Sequence, residues 1–203
     1  MVSRLGVEEA AACIRRGGLV AFPTETSFGI GCRAFDAQAV GRVVKAKGRP
    51  DGKPLPILVP DVRYLRGLEM ESPLLALAEA FWPGALTIVV PAFPGLPAPV
   101  SAGTNMVGVR MSGHPIAQAL VERVGEPIVG TSANRTGQPA ANTAEEVDAA
   151  GIIGLDGLVE GGHAVGGGAS TVVGLVNSDL IIHRHGPVTE EALRAMWSQV
   201  RGA

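Results

Sequence analysis

The chain has 203 residues, 46% of them hydrophobic and 18% charged, which is long enough to bury a core and too apolar for intrinsic disorder. Five Phe, two Trp and one Tyr leave that core to Val, Leu, Ile and Ala, while 28 glycines and 15 prolines spread without a period exclude a collagen-like repeat. A formal charge of −2 supplies no global field toward nucleic acid or membrane, so any attraction for anions has to be local.

In chain order, Val7, Ala10, Ala11 and Ile14 form a stripe at i, i+3, i+4 and i+7 that predicts a helix over 7–16, stopped by Gly17-Gly18. A strand follows at 19–22. Asp36 is placed to cap a helix over 37–46, with Val40, Val43 and Val44 inward and Arg42 and Lys45 outward, and its end delivers Lys47-Gly48-Arg49-Pro50. Residues 54–60 read as a short buried strand, 73–82 as a helix, 86–90 as a β-rich run and 107–111 as a strand. The pattern then predicts a helix over 115–124 and a strand over 127–130 running into a loop at Thr131-Ser132-Ala133-Asn134. Thr143 with Glu146 forms a capping box for 144–150. Residues 171–176 and 180–183 pair around a turn at Asn177-Ser178-Asp179, and Thr189 caps a last helix with Leu193, Met196, Trp197 and Val200 on one face. Strands and helices interleave without a clean βαβ repeat. The expectation is an α/β chain of the α+β type: a twisted sheet of mixed strand direction with helices on both faces, residues 1–203 forming one domain.

Two cysteines, Cys13 and Cys32, are too few for a disulfide framework or a Cys-based zinc site and fit a reducing cytoplasm. The first 22 residues lack an uninterrupted apolar segment, and no apolar run nears the ~18 residues of a membrane span. A cytoplasmic protein without a membrane partner is the expectation.

Chemistry concentrates in a few segments. All three lysines, Lys45, Lys47 and Lys53, fall within nine residues, joined by Arg42 and Arg49 against Asp51 alone. Cations crowded beside glycines and prolines suit a shared anion such as a triphosphate; a solvated helix end, where cations favour the dipole, is the bland alternative. Residues 23–31, Pro-Thr-Glu-Thr-Ser-Phe-Gly-Ile-Gly, put hydroxyls, a carboxylate and two glycines in one turn. That turn suits either a small polar ligand approached by backbone amides or a plain capped turn. Gly29-Ile30-Gly31 lacks the third glycine of a dinucleotide site.

Residues 130–134, Gly-Thr-Ser-Ala-Asn, resemble a nucleophile elbow, but Asn134 replaces the closing glycine and nothing ties His114, His163, His183 or His185 to Ser132. The hydroxyl and amide there suit phosphate or ribose better than attack. No phosphate-loop motif exists, because Pro54 follows Gly52-Lys53, and no zinc-protease motif is present. The loop Gly166-Gly167-Gly168-Ala169-Ser170-Thr171 either closes over a ligand or connects two strands. Arg110, at a strand end, suits a carboxylate ligand or an ion pair.

Together, residues 23–31, 47–55, 81–89, 107–115, 131–139, 170–173 and 183–188 resemble, in order, the Sua5/YrdC/YciO family of L-threonylcarbamoyladenylate synthases, which begin the t6A modification of tRNA. The resemblance rests most on the family's K-x-R, here Lys47 and Arg49, with its S-x-N, here Ser132 and Asn134. It implies a YrdC-like fold with a basic concave cleft, and synthesis of threonylcarbamoyl-AMP and pyrophosphate from ATP, bicarbonate and L-threonine. It also implies Mg2+ beside the phosphates and no protein metal site. Carried over residue by residue, Lys47, Arg49, Lys53, Ser132, Asn134 and Arg184 form the ATP set, Lys47 and Arg49 being catalytic. Thr26, Arg110 and Ser170 hold threonine, Arg110 through its carboxylate. Lys47 and Ser132 are both expected to face a solvent-filled cleft.

Departures from the family pattern fall at Phe28, Lys53, Leu58, Ala140, Ala169 and His185. Leu58 and Lys53 match the shorter, single-domain bacterial type. The chain is accordingly expected to lack the additional C-terminal domain of longer members. The same resemblance admits tRNA or a tRNA-modifying transferase as partner. Two alternatives stand beside it: an RNA-binding module without turnover, and a carbamoyl-adenylate synthase acting on another amine.

Overall fold

A computed structural model describes residues 2–50, 52–66, 72–161 and 168–201. Asp51, His163 and Gly166-Gly167, singled out above, lie outside the described residues. The elements in order are β1 (Arg4–Leu5), α1 (Val7–Arg15), β2 (Val20–Pro23), β3 (Phe28–Gly31), α2 (Ala37–Lys47), β4 (Ile57–Leu58), a 3-10 turn (Val62–Leu65), α3 (Ser72–Phe81) and β5 (Leu86–Pro91). There follow α4 (Ala98–Ser101), β6 (Met106–Arg110), α5 (Pro115–Val124), β7 (Ile128–Val129), β8 (Thr131–Ser132), α6 (Ala144–Ala149), β9 (Gly157–Val159), β10 (Thr171–Val176), β11 (Asp179–Arg184) and α7 (Glu190–Arg201).

The mixed α/β class holds, with the strands divided between two mixed sheets rather than laid in one. The first has the order β1-β9-β2-β3-β8, the second β11-β10-β5-β6-β4-β7. The chain changes sheets at Gly130: β7 pairs antiparallel with β4, and β8, two residues on, pairs antiparallel with β3. A Cβ at Gly130 would lie 2.5 Å from Leu58 Cγ, so only glycine lets the crossing lie flat on β4. The expected loop at Thr131-Ser132 is thus a short strand. Its local sequence carries no β alternation, because the pairing is supplied by β3, a hundred residues earlier.

Local signals placed the helices well. Asp36 Oδ1 accepts from the Gln38 and Ala39 amides at the start of α2, and Gly48 ends the helix in the left-handed conformation. Thr143 Oγ1 accepts from Glu146 N, but the Glu146 carboxylate reaches back to Asn142 N, one residue beyond the Thr143 amide that a reciprocal box would use. The turn after β10 takes Asn177 and Ser178 through positive φ, as a tight hairpin requires.

β2 is buried on both sides: Val20 and Phe22 pack with Ala10, Ile14, Leu120 and Val124 of α1 and α5, whereas Ala21 joins the main core with Val40 and Val43 of α2. The second sheet packs one face on the main core; on the other, Leu58 of β4 and Ile128 of β7 join the cluster of α1 and α5, while β5, β6 and β10 leave cavities. Leu86, Ile88, Val109 and Val173 point into the main core, with Leu193 and Trp197 of α7 among its members. The alternate positions Thr87, Val89, Gly108, Arg110 and Val172 line cavities on the other face. Among the described residues, no helix is long and apolar enough to cross a membrane.

Candidate active site

The open face of the second sheet and the β3–β8 end of the first enclose a cavity of about 180 Å3. Thr26, Arg49, Arg110, Ser132, Ser170 and Arg184 all line it. These residues come from six separate segments of the chain: five are delivered by the end of a strand or the turn beside it, and Arg49 by the loop that follows α2. A neighbouring groove of about 340 Å3 shares Arg49, Pro56, Thr87 and Arg184 with this cavity and adds Lys53, Val89, Gly108 and Val172. A larger concavity, of about 720 Å3, lies over Arg135, Gln138 and Ala149 and contains none of the expected site residues.

Residues 24–27 form the turn of the β2–β3 hairpin, where Thr24 Oγ1 donates to Ser27 O and contacts Thr26 Oγ1 at 3.0 Å. The capped-turn reading holds, and Thr26 of this turn lines the cavity. The expected role of its glycines is corrected at Gly31. A Cβ there would lie 2.6 Å from the Phe22 ring and 2.9 Å from Val129 O, so that glycine admits protein neighbours rather than a ligand. Gly29 does line the cavity.

Arg110 is less free than its sequence context suggests. Its Nη2 lies 2.6 Å from Glu25 Oε1, Nε donates to Gly84 O, and Nη1 and Nη2 reach Thr26 Oγ1 at 3.3 and 3.4 Å. The Glu25 carboxylate also accepts from Ser112 Oγ and Gly113 N. Burial pushes the Glu25 carboxyl up, but the charge and hydrogen bond of Arg110, with those two donors, outweigh it and hold the group below the ordinary carboxylate range. Of the two readings kept for Arg110, the ion pair is present; Glu25 was not among the residues singled out for the site.

Ser170 is buried and already engaged. Its Oγ lies 2.7 Å from Thr87 Oγ1 and accepts from Arg184 Nη2 at 3.0 Å, while Arg184 Nε donates to Ser170 O. Thr87, also missed, forms the buried end of this chain; its one sequence signal is a hydroxyl within an apolar strand. Arg49 folds onto its own loop, donating to Lys53 O and Pro54 O. Burial lowers the basicity of Arg49 and of Arg184, where Arg110 adds to the effect.

The two distant segments on which the sequence reading depends do meet. Lys47 Nζ donates to Ser132 O, to Asn134 O at 2.8 Å and to Asn134 Oδ1 at 3.2 Å. Lys47 does not face solvent, however: it is 2% exposed, and burial with a smaller push from Arg49 lowers its ammonium to about 8. The expectation of a solvent-facing lysine fails because the backbone carbonyls that receive it leave no trace in the side-chain sequence. Asn134 stands behind Ser132, accepting its hydroxyl proton at 2.6 Å and donating to Gln138 O. Ser132 thus has an amide, not a histidine, as partner. His114 Nδ1 accepts from Ile116 N as the cap of α5, and burial, opposed by Glu25, keeps its pKa low.

A model of the Sua5/YciO/YrdC family, described as telomere recombination, matches residues 12–186. The chain is 40% identical over 195 residues to a threonylcarbamoyl-AMP synthase of Bacillus subtilis, covering 94% of this chain and 56% of that protein. It superposes on the L-threonine complex of Pyrococcus abyssi Sua5 with a TM-score of 0.88 at 35% identity, covering 97% of this chain and 60% of the other. Escherichia coli YciO shares the fold, with a TM-score of 0.83 at 24% identity and 92% of each chain covered. The chain therefore spans a little over half the length of the curated relatives it matches in Bacillus subtilis and Pyrococcus abyssi. With a family model across residues 12–186 and a fold shared from end to end of the described residues, this chain belongs to the Sua5/YciO/YrdC family.

Proposed function

We propose that the chain is a threonylcarbamoyl-AMP synthase, condensing L-threonine, bicarbonate or CO2, and ATP into L-threonylcarbamoyladenylate and pyrophosphate for the t6A modification of tRNA. The observation that carries the reading is the convergence of Thr26, Arg49, Arg110, Ser132, Ser170 and Arg184 on one cavity. The relatives' name and the threonine-bound P. abyssi neighbour support it.

The chemistry fits these residue types. The threonine amine adds to CO2 with loss of a proton, and a carbamate oxygen then attacks the α-phosphorus as pyrophosphate leaves. In the second step both partners are anions, so catalysis needs charge neutralisation and alignment rather than a covalent nucleophile. Arg49 and Arg184, with Lys53 in the adjoining groove, are the cations set to receive the triphosphate. Thr26, Ser170 and the guanidinium of Arg110, shared with Glu25, are set to receive the amino acid. Mg2+ fits this site as a companion of the triphosphate, neutralising phosphate charge when bound. Among the described residues no cluster of His, Cys, Asp or Glu could hold a metal, and the Glu25 oxygens are taken by Arg110, Ser112 and Gly113.

The same reading takes residues 1–203 as one working unit, since both sheets contribute to one core, and places it in the cytoplasm with ATP and tRNA. A tRNA-modifying transferase is the class of partner that would consume the labile adenylate. Pyrophosphate release by the purified chain in MgATP and bicarbonate, with and without threonine, tests the reading. Release should require threonine and fall about 10²- to 10³-fold in Arg49→Ala, the range found for removing one charge-stabilising donor. Release that ignores threonine ends the assignment.

A further inference from the structure

Lysine carries three N–H donors and no acceptor. At Lys47 all three have protein partners: Ser132 O, Asn134 O and Asn134 Oδ1. The backbone of the same residue accepts from Thr136 N at 2.9 Å, so one residue at the end of α2 holds both sides of the segment 132–136. Its side chain is buried and the ammonium has no donor left for a phosphate. Two residues on, Arg49 lines the cavity that Ser132 also lines. The lysine and the arginine of K-x-R therefore do different work.

The consequence reaches Ser132. Asn134 Nδ2 donates to Gln138 O, which fixes the amide so that Oδ1 faces Lys47 and Ser132. An amide oxygen only accepts, so the Ser132 hydroxyl proton is committed to it. What Ser132 offers the cavity is a lone pair, suited to a hydroxyl, an amine or a cation and unsuited to a phosphate oxygen.

We propose that Lys47 is a positioning residue that fastens the Ser132–Asn134 corner, and through Asn134 turns Ser132 into a hydrogen-bond acceptor, without itself meeting the nucleotide phosphates. This rests on the synthase reading only where turnover is measured. The alternative, a lysine that swings out to a phosphate, makes Lys47 a charge-neutralising group of the reaction, whose loss falls on kcat.

The test is amide hydrogen exchange of the full chain without nucleotide, comparing wild type with Lys47→Met, which keeps the apolar stem and the Thr136 bond. Exchange in 131–138 should rise about tenfold in Lys47→Met, with β2 and α5 unchanged. In the pyrophosphate assay the same variant should raise the KM for ATP about tenfold with kcat kept within a few-fold, since the corner is loosened and no charge-neutralising group is lost. Global destabilisation of a still-folded variant produces neither local exchange nor that split. Unchanged exchange in 131–138, or a loss confined to kcat, overturns the proposal. Should Lys47→Met not fold, Asn134→Ala removes one acceptor and leaves the ammonium; it should speed exchange at the same segment, and the absence of that effect overturns the proposal equally. A wild type that releases no pyrophosphate would sink the synthase reading and leave the exchange comparison intact.

Discussion

Arg110 Nη2 and Glu25 Oε1 lie 2.6 Å apart, joining the open face of the second sheet to the hairpin turn of the first, with the two side chains 9% and 19% exposed. On the proposed function, an amino-acid carboxylate entering the cavity would meet a guanidinium already paired with Glu25 and bonded to Gly84 O and Thr26. Removing one member of such a pair strands the other. Arg110→Met is expected to lower stability by about 3 kcal/mol, because it leaves the Glu25 carboxylate without its cation. Adding Glu25→Gln should restore most of the loss while activity stays absent. Urea midpoints of the two variants decide it, and equal midpoints would refute the coupling. The sign with pH follows from the lowered Glu25 pKa: its stabilisation is complete above the ordinary carboxylate range and is lost as pH falls through the depressed value.

The hydroxyl of Thr87 sets the hydroxyl of Ser170, which Arg184 grips from the far side. Thr87→Val keeps the shape of the strand residue and deletes only the buried partner. A stability loss of about 1 kcal/mol is expected. The KM for threonine should rise several-fold, with thermal unfolding still cooperative. Thr87→Ser should restore KM. Equal KM values for the valine and serine variants would show that the hydroxyl has no part in binding.

Gly186 sits against backbone. A Cβ there would lie 2.4 Å from Ala169 O, 2.5 Å from Thr171 N and 2.7 Å from Ser170 C, and none of these atoms can rotate away. Thr171 is in turn fixed by bonds to Ala85 O and Val188 O. Gly186→Ala should cost about 1–3 kcal/mol by overpacking and displace Ser170 together with the Arg184 side chain that holds it, reducing turnover well beyond the loss of folded protein. Gly41→Ala in α2 is the control. A Cβ there meets nothing within 4 Å, so circular dichroism and activity should both stay near wild type.

What the sequence made legible was whatever is decided within a few residues. The stripe Ala10, Ala11, Ile14 and the Asp36 cap predict α1 and α2 because helical periodicity and capping are local bonds. The short strands β1 and β9 escape notice because Arg4–Leu5 and Gly157–Val159 pair with each other across the chain and neither shows alternation. The site divides in the same way. The cations and hydroxyls announce themselves by type, so Arg49, Arg110 and Ser132 are found. Glu25 and Thr87 act through partners more than eighty residues distant, and the partners of Lys47 are mostly backbone carbonyls that any sequence possesses.

Lys47 is lowered from its ordinary 10.5 to about 8 by burial, with Arg49 the charged neighbour that adds to it. A base whose folded pKa lies below its unfolded pKa binds fewer protons when folded, so between pH 8 and 10.5 the unfolded state is the more protonated and stability rises with pH. Below pH 8 the full cost of burying the ammonium is present. The gain across the window is at most about 3 kcal/mol at 1.36 kcal/mol per unit. Cys13 and Cys32 oppose it, since burial raises both thiols, Cys32 to about 12, and unfolding lets them ionise. The difference between wild type and Lys47→Met isolates the lysine, because both carry the cysteines. Over pH 7.5 to 9.5 wild type should gain stability relative to Lys47→Met. Exchange in 131–138, corrected for base catalysis, should quicken in wild type alone, as the neutral amine drops one of its three donors. A corner that loosens while the whole molecule tightens is the signature of a buried lysine employed as a fastening. Stability and local protection moving in the same direction with pH would contradict it.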